Sequence, residues 1–159
     1  MNTIARAPTQ SFITVPMGSE RFALGAESVV EVVAAQKPQT FPHQTSWICG
    51  VIVRRNRVIP VCEPAVLLGL APFSPRFYLI AEWTHERVHG CCAIPVSDEC
   101  ELVSAPLEII PSDRLDKLNS PQFRRGFIPV ADGRLEVIDL GKLIFSGGSS
   151  QEFRAEVAR

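Results

Sequence analysis

No uninterrupted apolar run in the 159-residue sequence approaches the roughly 20 residues that a membrane-spanning helix requires. The first eleven residues carry one arginine and no apolar segment, so a secretory leader is not expected. Charge of either sign is not in excess. A formal net charge of −1 gives no global attraction to nucleic acid or to an anionic membrane, and any charged contact must be local. Catalytic signatures are missing as well: there is no Gly-x-Ser-x-Gly, no P-loop and no His-Glu-x-x-His. His43, His85 and His89 sit in or beside turns, where a solvated imidazole is the ordinary reading. An enzyme would need a nucleophile with its base, or paired carboxylates in a cleft, and neither is legible.

Cysteine is present but unpatterned. The five cysteines include no Cys-x-x-Cys, and Cys49, Cys62, Cys91 and Cys92 lie in apolar runs of strand type. Free thiols packed as small hydrophobes in a reducing, cytoplasmic compartment account for them. A metal site is the sharper alternative, since His89 and Cys91 would share one strand face, but no second ligand pair stands at a zinc-like spacing.

What the chain does have is a unit that occurs twice. From Trp47 to Leu68, two β-branched runs flank a basic tip (Arg54, Arg55, Asn56, Arg57), which reads as a hairpin. Glu63 then precedes Pro64, whose missing N–H suits the first position of a helix continuing through Leu68. One fixed shift, without a gap, lays Gly50 on Gly126, Ile52 on Ile128, Asn56 on Asp132, Val61 on Val137, Glu63 on Asp139 and Leu67 on Leu143. A slightly smaller shift sets Val96, Ser97 and Asp98 on Val29, Val30 and Glu31.

In chain order, strands are expected from Gln10 to Met17, through Arg21 to Leu24, and at Val29 to Val33, with the prolines after Lys37 ending the third. Gly69 to Pro75 reads as the connection between halves. Strands follow at Arg76 to Trp83 and Val88 to Ala93, with Pro95 as an interruption. Ser112 and Asp113 could cap a short helical turn. Arg124 to Ile138 forms the second hairpin, with Asp132-Gly133 at its tip because both tolerate positive φ. Gly147 to Ser150 reads as a flexible joint before a marginal helix. The expected architecture is all-β: one domain over 10–145 made of two related barrel-like halves that pack together, with tails at 1–9 and 146–159.

The order Phe22-x-Leu24, Val29-x-Glu31-Val32, a proline-bearing loop, Ile48-x-Gly50-Val51-Ile52, an arginine tip and Val58-Ile59-Pro60-Val61 resembles the CheW-like chemotaxis coupling proteins. Gly90, Val96, Asp98, Gly126 and Leu135 to Leu143 extend the likeness, which covers Ser11 to Phe145. The resemblance implies two intertwined five-stranded SH3-like barrels. It also implies an adaptor without cofactor, coupling the cytoplasmic tips of chemoreceptors to the regulatory domain of a CheA-type histidine kinase. The family's N-L-R-G at the hairpin is Val53, Arg54, Arg55, Asn56 here, and its D-L is Glu63-Pro64. With that tip altered, the equivalent adaptor of a type IV pilus or other non-flagellar system is the alternative. A small-molecule carrier is a further one, which would need a hollow barrel.

The resemblance implies partner contacts at Val29, Glu31, Gly50 and Arg55. Each has a second reading: core packing for Val29, a solvent-facing strand residue for Glu31, a close backbone approach for Gly50 and a solvated tip for Arg55. Arg54 and Arg57 flank Arg55 and serve as its comparison. With no metal or cofactor expected, a chelator or a thiol reductant should leave the melting temperature unchanged; a large drop with either overturns this reading.

Overall fold

The computed structural model describes residues 8–40, 47–109 and 123–147. The proposed cap at Ser112 and Asp113, His43, both chain ends and the segment after Gly147 lie outside the described residues. The strands are β1 (Thr9–Met17), β2 (Glu20–Gly25), β3 (Val29–Ala34), β4 (Ile48–Arg54), β5 (Arg57–Cys62), β6 (Phe77–His85), β7 (Val88–Val96), β8 (Leu102–Pro106), β9 (Glu108–Ile109), β10 (Arg124–Val130) and β11 (Gly133–Ile138). Two short helices, α1 (Pro64–Leu68) and α2 (Leu140–Gly147), each follow a hairpin. Ser146 and Gly147 therefore belong to a helix rather than to the expected tail and joint.

Two-residue turns link β1 to β2, β4 to β5, β6 to β7 and β10 to β11. One sheet has the order β8-β1-β2-β11-β10-β9 and the other β3-β6-β7-β5-β4. If β1, β2, β8, β10 and β11 are matched to β6, β7, β3, β4 and β5, the two orders are the same. Each sheet contains one parallel joint, β11 against β2 at Val137↔Ala23 and β5 against β7 at Val61↔Ala93. The halves of the sequence are thus not the barrels. The hairpin β1–β2 pairs with strands of the second half, and β6–β7 with strands of the first.

Residues from all five strands of the second sheet fill one barrel: Ile52, Ile59, Val61, Tyr78, Ile80, Cys91 and Ala93, with Val33 beside them. Phe12, Ala23, Ala105, Ile128, Leu135 and Val137 fill the other. The largest cluster lies between the barrels and draws on both sheets and on α2, through Val15, Leu24, Trp47, Ile48, Leu79, Trp83, Ile94, Ile138, Leu143 and Ile144. Strand β6 is buried on both faces, with Tyr78 and Ile80 pointing into a barrel and Leu79 and Trp83 to the interface. At about 1.5–3 kcal/mol for each fully buried aliphatic or aromatic side chain, this shared cluster holds the barrels to each other as firmly as each is held within. The cysteines behave as packed hydrophobes: Cys62, Cys91 and Cys92 are buried, with Cys91 inside a barrel and Cys92 at the interface.

The repeat extends to backbone hydrogen bonds. The Glu63 N–H donates to the Trp47 carbonyl and the Asp139 N–H to the Phe123 carbonyl, both at 2.7 Å. Bulges fall at the same place, between Ile48 and Gly50 in β4 and between Arg124 and Gly126 in β10. Four expectations are corrected. Strand β7 continues through Pro95 to Val96, because β5 meets it only at Ala93 and a proline beyond that point breaks no ladder bond on that side. Residues 96–98 consequently end β7 and turn, and the counterpart of β3 is β8. At the tip of the second hairpin Gly133 takes a positive φ, of 139°, and Asp132 does not, while the turn residues are Ala131 and Asp132. His85 is half-buried rather than solvated, with its ring stacked 4.4 Å from that of Phe145 in α2.

Gly50 is buried with φ 154°, and a Cβ there would stand 2.6 Å from the Gln39 carbonyl oxygen. Gly126, with φ 156°, lies even closer to the Glu108 carbonyl. At both positions an edge segment crosses the bulge, as the bridge Gln39↔Val51 or as β9. Gly50→Ala and Gly126→Ala should each lower stability by about 2–3 kcal/mol in urea unfolding. Gly69→Ala, at a left-handed helix end with open space around it, should cost only about 1 kcal/mol. Equal costs at all three would show that close approach is not what requires the first two glycines.

Candidate interaction site at the barrel seam

Strands β3 and β4 are the two edges of the five-stranded sheet, so the barrel closes only if something joins them. The backbone does this once, where Gln39 N–H and Val51 N–H donate to each other's carbonyls at 2.8 and 2.9 Å. At the other end side chains do it. Strand β3 alternates, with Val29, Glu31 and Val33 half-buried and Val30, Val32 and Ala34 exposed. Glu31 therefore shares the inward face of Val33. Two steps beyond the buried Ile52 on β4, Arg54 points the same way. Its Nε and Nη2 donate to the two carboxylate oxygens of Glu31 at 3.0 and 3.3 Å, a bidentate clasp over the barrel mouth.

Arg55 and Asn56 form the hairpin turn with φ 52° and 62°. Positive φ at both central residues matches the right-handed twist of the flanking strands, and asparagine tolerates it well. Arginine does not, and an L-residue with a β-carbon is strained there by about 1 kcal/mol. The Arg55 side chain is 77% exposed, with Nη2 lying 3.5 Å from Glu31 as an outer partner. Arg54 hydrogen bonding holds the Glu31 carboxyl below its ordinary range, against the opposing cost of burial, with the charges of Arg54 and Arg55 adding to the effect. Around this cluster Val30, Val32, Val53 and Val58 are 42–63% exposed. These four β-branched side chains alternate with the inward residues and so lie on the outer face of the sheet.

Of the four residues the resemblance pointed to, the structure brings Glu31 and Arg55 into contact. Val29 is on the same strand but packs against the cluster between the barrels. Gly50 is buried under Gln39, where its lack of a side chain is what the fold uses. Arg54 and the exposed valines were not singled out by the sequence. Alternation from Ile52 was enough to turn Arg54 inward, and an inward arginine calls for the inward acid of β3. Among the described residues no three His, Cys, Asp or Glu side chains gather to hold a metal. No helix among them is long and apolar enough to cross a membrane.

Two interlocked barrels with filled interiors, an ionic seam and exposed valines on the outer face beside it define a protein that works by presenting surface. The family is specific: residues 11–146 match the CheW-like domain model, and the chain belongs to that family of non-enzymatic chemotaxis scaffolds. It is 27% identical to the probable chemotaxis protein CheW of Rhizobium etli, over 89% of this chain and 91% of that one. Protein FrzA of Myxococcus xanthus is 33% identical over 57% of this chain and 63% of its own. The fold matches the crystal structure of the scaffolding protein TtCheW from Thermoanaerobacter tengcongensis with a TM-score of 0.68, covering 86% of this chain and 92% of that one at 19% identity.

Because its pKa is lowered in the folded state, ionised Glu31 stabilises the fold above its ordinary value of 4.5, and that contribution fades as pH falls through the folded value. Glu31→Gln should be less stable than the wild type at neutral pH, and the difference should shrink below pH 4.5. Denaturation midpoints of the two proteins across that range test this. A difference independent of pH would mean that the carboxylate charge does not hold the seam.

Proposed function

We propose that this scaffold acts in the cytoplasm, coupling the tips of chemoreceptors to the regulatory domain of a CheA-type histidine kinase through the hairpin seam. Of the four positions Val29, Glu31, Gly50 and Arg55, the contact is Arg55, with Glu31 beside it, while Val29 and Gly50 serve the packing of the barrels. The observation that carries this reading is an exposed arginine kept at φ 52°, where glycine or asparagine would be less strained. The turn needs the positive φ but not the arginine, and a residue type kept at a strained position is characteristic of functional sites. An exposed guanidinium on strands that also carry exposed valines has the composition of an interface anchor. Similarity to FrzA favours, as a second reading, the equivalent adaptor of a type IV pilus or other non-flagellar chemosensory system. The carrier reading loses ground because side chains occupy both barrel interiors.

Affinity for a kinase regulatory domain and for a receptor tip, measured beside the melting temperature, tests the proposal. Arg55→Ala and Arg55→Gly should each weaken binding by about 2 kcal/mol or more, roughly thirtyfold. The glycine variant should meanwhile be as stable as the wild type or gain up to about 1 kcal/mol. Arg57→Ala, at an exposed position in β5, should change neither quantity, and Arg54→Ala should lower stability. Unchanged affinity in both Arg55 variants would reduce the residue to a solvated charge.

A further inference from the structure

The two copies of the hairpin–helix unit differ at the acid that opens the helix. In the second copy the Asp139 carboxylate accepts the Lys142 N–H at 3.1 Å and so caps α2. In the first, Glu63 makes no side-chain cap bond, and Pro64 removes one of the N–H groups that a cap would serve. The Glu63 carboxylate is therefore not used by its helix. It lines a groove of about 440 Å³ at the mouth of the five-stranded barrel, away from the Glu31 clasp. Val66, Leu70, Phe73, the buried Tyr78 and five prolines make most of the remaining wall, with Lys37 also on the lining. Burial first, and the nearby Cys49 and Glu63 groups after it, push the Tyr78 hydroxyl pKa up.

We infer that this groove receives an extended segment of a partner protein, which lays the aliphatic stem of one lysine or arginine along the proline and aromatic wall and pairs its cationic head with Glu63. The volume falls in the range of sites that hold a short peptide segment or drug-sized ligand. A prolyl and aromatic wall suits an extended backbone and the methylenes of a long basic side chain. With one carboxylate and one lysine on the lining, the groove can pair a single cationic head, and a free polyamine would leave its further charges unpaired beside Lys37. A peptide backbone instead offers carbonyl oxygens to that ammonium. The inference does not rest on the hairpin reading, because the groove and the tip share no residue.

The test uses the full chain, labelled with ¹⁵N, titrated with n-butylguanidinium and with neutral 1-pentanol. The guanidinium should saturably shift the amides of Val66, Leu70, Phe73 and Tyr78, and Glu63→Gln should weaken it by roughly three- to fivefold, the size expected of a solvent-accessible ion pair. Binding of 1-pentanol should not change in that variant. An acetylated Ala-Pro-Leu-Arg-Pro-Ala amide should bind at least tenfold more tightly than n-butylguanidinium. Equal guanidinium binding in the wild type and Glu63→Gln, or shifts confined to other residues, would overturn the site. Tighter binding of spermidine than of the peptide would overturn the assignment to a protein segment.

Discussion

The exchange of hairpins between the halves is the constraint on which the rest of the structure depends. Neither half of the sequence contains a complete sheet: β1 and β2 need β11 beside them, and β6 and β7 need β5. The two parallel joints are short, at Val61↔Ala93 and at Glu136↔Phe22 and Val137↔Ala23, so hydrogen bonds alone would hold them weakly. Packing makes up the difference. Leu79, Trp83, Ile94 and Ile138 are buried only because both barrels are present, and their burial fixes the angle at which the sheets meet.

A barrel closed in this way has a seam, and here a charged pair lies across it. An open edge strand offers a template for unwanted pairing, which an inward charge suppresses. Glu31 is such a charge on β3, and the clasp with Arg54 satisfies it without recruiting another chain. The two neighbouring arginines are thereby used differently. Arg54 is committed to the fold, which leaves Arg55 as the outer, exchangeable partner of the same carboxylate.

Much of this was legible in the sequence because it depended on local period and on the repeat. The hairpin at Arg54 to Arg57, the helix opening at Pro64 and the counterpart positions Gly50 and Gly126 all follow from residues near one another in the chain. The strand exchange was not legible from periodicity, since an apolar strand reads the same whichever sheet receives it. Pro95 misled because a proline ends a strand only where a ladder bond would be lost. Glu31 was read as a contact or a solvated residue, and its ionic closure depended on a partner 23 positions away in sequence. His85 was assigned to solvent from its place at a turn, whereas Phe145 reaches it from the far end of the chain.

The same connectivity sets an order of assembly. Strands β3 to β7 are contiguous in the chain, so the five-stranded sheet has all its strands soon after Val96 has been synthesised. The N-terminal hairpin is made first, gains β8 once Pro106 has been made, and meets β11 last, because Ala23 waits for Val137. Contacts of such sequence separation carry a loop-closure cost before they return any energy, and they slow folding. Until the ribosome has released the second hairpin, β2 has no strand on its far side and the barrel that β1, β2 and β8 begin stays open. In a crowded cell that interval is when this protein is most exposed to aggregation and to chaperones.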